Sequence, residues 1–451
     1  MQKRYVLLAA LLAACDASQP LKVKDPDVAP PGELDSPSSL PFLSAGALTD
    51  FAVSFIGASD QSNNAHEGIA AMGGVFTDEF TDLDTYTTRN ELNQRVALPA
   101  NGNLAAVFQN LGQTHNDARR ALAAYAKFSP NDVGRAEMYA IDAYVYLLVA
   151  EHWCSGEPFS TIDVSTGAVT NSPFLSTAQM LDTALAEFQQ AKIVAASDKA
   201  ATADRVASVT GLAQVGAARA LLDLGQVAGA ADSAAAVAPA FAYRVFASSN
   251  TPRQNNGIWF YTVAFQAFSV GDHKNGTGLP FQSDTDPRVP WLAPPGEVGS
   301  NLQGPFIIQQ KYASSSTPAN LADYTEAQLI VAEGDIDAGN YPAALSIMNG
   351  LRAGSGLAFP ARLALGDSSA APLKHQLLQL LSERAFWLYL TGHRLGDWRR
   401  MLRAPYNTAP YGFVTSDVYP VGGSLSTTLE FPTPQLTSPN PDFKACDPTI
   451  P

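Results

Sequence analysis

The sequence predicts a mainly α-helical protein in which helical hairpins form a scaffold and long irregular loops carry the candidate binding face. Three observations support that expectation. Apolar residues recur at helical spacing over Leu104–Phe128 and over Asp132–Trp153. Two later stretches, Gly211–Val237 and Glu326–Arg352, share an alanine-rich helix, a Gly-x-Φ-x-x-Ala turn and a second helix. Between them, Tyr243–Gln310 runs for about seventy residues without helical periodicity and is dense in Gly, Pro, Asn, Ser and aromatic side chains.

The N-terminus reads as an address. Lys3 and Arg4 precede an apolar run from Tyr5 to Ala14, too short to span a bilayer as a stable helix, so residues 1–14 are expected to be an export signal. Leu12-Ala13-Ala14-Cys15 is similar to a bacterial lipobox, in which the thiol is acylated and becomes the mature N-terminus. Residues 15–41 then form an acylated, proline-rich tether holding Pro20, Pro26, Pro30, Pro31, Pro37 and Pro41. A single helical domain is expected over residues 42–451, with a loop-rich insertion at about 243–310 and a first helix starting over Asp50–Ile56.

Val75–Arg95 sets Asp78, Glu79, Asp82 and Asp84 among aromatics. Hard oxygen ligands of that kind suit calcium, but the spacing is not that of an EF-hand loop, and a solvated or capping role is expected. The helix ending at Trp153 stops at Cys154-Ser155-Gly156, where glycine ends helices readily. His152 lies beside Glu151 with no second histidine at ligand spacing, so it reads as a structural residue. In the two repeats, Gly225, Val227 and Ala230 match Gly339, Tyr341 and Ala344. Small residues there let antiparallel helices approach, and glycine makes the tight turn. The unit resembles the hairpin of tetratricopeptide repeats (TPR) at the turn, though not at that family's aromatic positions.

Within the irregular stretch and near Asp84, the aromatics Tyr86, Trp259, Tyr261, Phe281 and Trp291 are the candidate ligand contacts. Their ring faces could stack on sugars or grip apolar peptide side chains, with Asn255, Asn256, Asp272, His273 and Asn275 supplying hydrogen bonds. The competing reading is that such rings fill a core beneath the loops.

Composition narrows the rest. A net charge of −14 argues against a nucleic-acid partner, which needs basic patches. With Cys15 assigned to lipid, Cys154 and Cys446 remain, an even pair expected to form a disulfide in an oxidising compartment. The sequence holds no GxSxG elbow, Walker loop, HExxH or CxxC, and its six histidines do not cluster, so no catalytic residues, cofactor or metal is expected.

The last distinctive stretch is Ser382–Arg400, SERAFWLYLTGHRLGDWRR. An apolar helix breaks at Gly392 and restarts among charges and aromatics, which must be paired if buried. Glu383 is expected to pair with Arg394 or Arg399, with Trp387 and Trp398 covering the apolar end of the repeats. Glu383-Arg384, Gly392-His393-Arg394 and Asp397-Trp398-Arg399-Arg400 resemble the ER…GHR…DLRR signature of the SusD/RagB family of surface lipoproteins. Arg135-Ala136-Glu137 through Pro158, the Asn349/Arg352 pair and the tail from Phe431-Pro432-Thr433-Pro434-Gln435 to Asn440-Pro441 are also similar to that family. The resemblance implies a lipid-anchored outer-membrane protein facing the cell exterior. Such a protein captures oligosaccharide or peptide for a SusC-like TonB-dependent transporter barrel and performs no chemistry. No binding residue carries over, because the family's contacts lie in variable loops. The alternatives are a TPR-like assembly scaffold without small-ligand binding, and an unrecognised hydrolase.

Overall fold

The computed structural model describes residues 34–450 except 61–66, 157–158, 164–165, 424, 435–439, 441–443 and 445. The signal segment, Cys15 and the tether to residue 33 lie outside the described residues. The first helix, α1 (Leu40–Ile56), starts earlier than the expected Asp50, directly after a 3₁₀ turn at Pro37–Ser39. Pro41 in its first turn has the helical φ already set, so the proline that read as tether is a helix start.

Caps written in the sequence place the following helices. After α2 (Ile69–Phe76), strand β1 (Phe80–Asp82) and α3 (Thr87–Asn93) comes α4 (Gly102–Phe128), whose Asn101 side chain accepts from the N–H groups of Asn103 and Leu104. Asp132 caps α5 (Val133–His152). A short hairpin, β2 (Thr161–Ile162) with β3 (Val169–Thr170), leads to α6 (Thr177–Ser197), which opens on a Ser176/Gln179 capping box. Then come α7 (Ala203–Asp223) and α8 (Val227–Ala235), the first predicted hairpin. The irregular stretch contributes β4 (Ala242–Val245), β5 (Phe268–Val270), β6 (Trp291–Leu292) and β7 (Ile308–Gln309), followed by β8 (Ala319–Asp323). The second predicted hairpin is α9 (Tyr324–Asp337) with α10 (Tyr341–Gly354), and α11 (Leu373–Trp387) and α12 (Arg394–Met401) follow.

From α4 to α10 each helix packs on the next, apart from the long excursion between α8 and α9, and those two also pack together. Both predicted turns hold glycine in the left-handed region, Gly225 at φ +71° and Gly339 at +75°. Close approach is equally physical: a Cβ on Gly334 of α9 would sit 2.5 Å from Ala231 Cβ of α8.

The irregular stretch folds back onto this body. β5 pairs antiparallel with β1 (Phe80 opposite Val270), β4 with β8, and β6 with β7. The C-terminal tail is tied to the end of α5: Phe431 bridges Trp153 in parallel and packs edge-on to it and to Phe76, and Cys154 is disulfide-bonded to Cys446 as expected.

The stretch Ser382–Arg400 forms a buried ionic knot, bent at Gly392 (φ +74°) as expected, but with other partners. Glu383 accepts from Arg288 of the loops and Arg352 of α10, while Arg394 and Arg399 are taken by other carboxylates. Arg394 forks onto Asp78, with both nitrogen–oxygen distances 2.8 Å, and Arg399 meets Glu430 and the carbonyls of Ala150 and Trp153. Arg384 holds Asp397, Arg400 joins Asp397 to Glu333, and His393 lies 3.0 Å from Glu326. Burial opposes ionisation of Asp397, yet Arg384 and Arg400 hold its carboxyl well below the usual carboxylate range. Trp398 packs on Tyr419 under the Arg394 guanidinium, and Trp387 packs on Phe359.

Asp78, Glu79, Asp82 and Asp84 are buried, which corrects the solvated role expected for them. Asp78 and Glu79 find partners outside their own segment, Arg394 and the Leu390 N–H, whereas Asp84 accepts from the Tyr86 N–H and Arg89 within it, a capping role. Burial pushes the Glu79 carboxyl up to about 8.

Candidate binding site

Tyr86, one of the aromatic side chains that reach solvent, is anchored from below. Asp84 receives the backbone N–H of Tyr86 at the start of α3 and the Arg89 guanidinium one turn later. Arg89 also donates to Glu67, which is held by the Asn103 amide at 2.9 Å. Thus fixed, the buried guanidinium stacks between rings, 4.6 Å from the Tyr86 centroid and 4.8 Å from Tyr261. Phe265, 5.5 Å from the same cation, stacks in turn on Phe260. The ladder runs from core to surface, and its outer rung, Tyr86, is 54% exposed.

A second wall is stitched beside it. The turn Gly299–Gln303 is held by Asn301 N–H to Leu83 O and Ser300 N–H to Gln266 O, each 3.1 Å. Gly299 has no room for a side chain there, since its Cβ would lie 2.4 Å from Leu83. At the tip, Leu302 sits at φ +64° and is 82% exposed, an apolar side chain in a costly backbone conformation turned outward. Gln266, whose carbonyl holds this turn, also donates its side-chain amide to Glu297 at 2.9 Å. At the end of β1, burial, reinforced by the charge of Asp84, pushes the Asp82 carboxyl up to about 7.

No protein-family model matches this sequence, and no curated protein does. Solved structures do. A SusD-like carbohydrate-binding protein from Bacteroides fragilis superposes with a TM-score of 0.64 at 13% identity, over 89% of this chain and 97% of that one. The chain has the SusD-like fold. A SusD-like carbohydrate-binding protein from Bacteroides vulgatus gives 0.60 at 15% identity over 81% and 83%, and a SusD superfamily protein from Parabacteroides distasonis 0.58 at 14% over 88% and 96%.

Within this SusD-like fold the five candidate aromatics separate. Tyr86 stands at the surface of the ladder, and Trp259, the neighbour of Phe260 in sequence, is half-buried with its backbone N–H donated to the Asn256 side chain. Trp291 is half-buried on β6 opposite Gln309. Tyr261 and Phe281 are fully buried, a correction: Tyr261 forms an inner rung, and Phe281 packs 5.1 Å from both Phe386 and Tyr389 beneath the knot. Neither offers a ring face to a ligand. The polar candidates are partly structural: Asn256 is buried, and Asp272 accepts from the Gln282 and Ser283 backbone. Among the described residues no three His, Cys, Asp or Glu side chains converge as a metal site. His152 is buried with Nδ1 donating to Leu148 O. Arg89 and Leu302 escaped the sequence reading. Their signals were slight: an arginine one helical turn after a Tyr, and a Gly-Ser-Asn-Leu turn before Gly304-Pro305.

Proposed function

We propose that this chain is a cell-surface lipoprotein that binds oligosaccharide and delivers it to a SusC-like TonB-dependent transporter barrel, without chemistry on the ligand. The observation that carries the reading is the exposed Tyr86 ring, rigidly backed by Arg89, in a fold whose solved neighbours include proteins described as carbohydrate-binding. A flat ring held from beneath suits the C–H face of a pyranose, because the ordering cost is met before ligand arrives. Leu302 forms a neighbouring wall, and Gln266, Glu297 and Asn301 supply hydrogen-bonding atoms for hydroxyls. Trp259 and Trp291 are outlying contacts in this reading. Acylation at Cys15 anchors the chain to the outer membrane, facing the exterior.

Isothermal calorimetry with a panel of neutral and acidic oligosaccharides and short peptides tests it. At least one glycan is expected to bind, and Tyr86→Ala to weaken it roughly tenfold, the loss of about one ring contact, while stability falls by no more than about 0.5–1 kcal/mol, the worth of its contact with Arg89. A panel without binding, while a transporter barrel still co-purifies from the envelope, would favour an assembly scaffold. Product release would make the protein a hydrolase. Surface labelling of intact cells reports the orientation.

A further inference from the structure

A second concavity, of about 740 Å³, lies between α1, α5, α7 and the chain leaving β4. That volume is within the usual range of small-molecule sites, roughly 300–1,000 Å³. Its inner wall is aliphatic: Val53 and Ile56 of α1, Ile141 of α5 and Val245 of β4 all line it and are buried. Phe246, 76% exposed, stands at its edge.

The charges on this lining do not cancel. Glu137 is satisfied, taking two N–H groups from Arg205 and the hydroxyl of Tyr243. Arg253 is matched by Asp50 at 2.7 Å. Arg244 has neither kind of partner: its Nε donates to Asn320 at 3.3 Å, and its terminal nitrogens have no hydrogen-bond partner among the described residues. Val245 of β4 lines the cavity from its buried wall, and Arg244, the residue before it, lines it from the exposed rim. At the rim of this partly aliphatic concavity, the exposed Arg244 guanidinium, with no ion-pair partner among the described residues, offers a fork to an anion.

We propose that this cavity binds a small amphipathic carboxylate, its aliphatic body along α1 and α5 and its carboxylate forked on Arg244. The proposal is independent of the glycan reading.

Calorimetry on the folded protein with decanoate, and with decanamide as its neutral counterpart, tests it. Decanoate is expected to bind and decanamide to bind roughly tenfold more weakly, the effect of losing one charge-assisted fork. Arg244→Gln should weaken decanoate by the same factor with the urea midpoint unchanged, Arg244→Lys should retain part of the affinity, and Ala52→Trp, which fills the cavity, should abolish binding. If Ala52→Trp does not fold, Arg244→Gln decides alone. Decanoate that does not bind at millimolar concentration overturns the proposal. So does decanoate that binds no better than decanamide, that is indifferent to Arg244→Gln, or that is lost with Tyr86→Ala.

Discussion

Arg394→Ala removes the counter-charge of a carboxylate that has almost no access to water. Both oxygens of Asp78, which is 1% exposed, accept from Arg394 at 2.8 Å, and the remaining partner is the Leu279 N–H at 2.9 Å. Deleting one member of such a pair costs about 3–5 kcal/mol, and the lost contact with Trp398 adds about 0.5–1 kcal/mol. A deficit of about 4 kcal/mol at pH 7 is expected, a large part of a typical folding free energy. The pH dependence identifies the cause. In the parent protein, burial opposes ionisation of Asp78, but Arg394 more than offsets it and holds the carboxyl below its ordinary value. That stabilisation is present above the ordinary value and lost as pH falls through the folded one. In the variant, burial without a counter-charge raises the same carboxyl, which takes up a proton on acidification, so the deficit shrinks between pH 7 and pH 4.5. Urea unfolding followed by far-UV circular dichroism at both pH values measures it. A deficit below about 1 kcal/mol, or one of equal size at both pH values, refutes the reasoning. Glycan affinity per folded molecule is expected to be unchanged, and a selective loss would place binding at the knot.

Three further outcomes follow from packing and burial. Gly334→Ala should cost about 1–3 kcal/mol by forcing α9 off Ala231, whereas Gly350→Ala, with nothing near its Cβ, should be neutral or gain up to about 1 kcal/mol; equal urea midpoints would refute the close approach. The Cys154–Cys446 bond spans a sequence separation of 292, so its loss in Cys154→Ser/Cys446→Ser should lower stability by at most about 5 kcal/mol, and a midpoint insensitive to reductant in the parent protein would argue against it. Burial pushes His152 down to about 3 from 6.5, so below pH 6.5 the unfolded chain binds a proton that the folded one does not, and stability falls with acidification. His152→Gln should remove up to about 1.4 kcal/mol per pH unit from that slope between pH 4 and 6, and an unchanged slope would refute it.

The hairpins were legible because their causes are local. Glycine at a left-handed turn and alanine at a close contact leave a signature within a few residues, as do the Asn101, Asp132 and Ser176 caps. The disulfide was legible from the parity of the cysteines. The ionic knot announced its place but not its pairing, since the partners of Arg394 and Arg399 are Asp78 and Glu430, set by the three-dimensional path of the chain. For the same reason the acidic run looked solvated. The aromatics failed on chemistry: a ring that stacks well on a ligand also fills a core well, so Tyr261 and Tyr86 are alike in sequence and opposite in exposure.

The attachment of the tail to α5 bears on the order in which the chain is made. Glu430 neutralises Arg399, Phe431 bridges Trp153 and Cys446 bonds Cys154, all after the rest of the scaffold has been synthesised. A chain interrupted before residue 430 therefore keeps a buried guanidinium without its carboxylate and a thiol without its mate. Incomplete copies differ from whole ones in stability as well as length, and proteases can sort them on that difference.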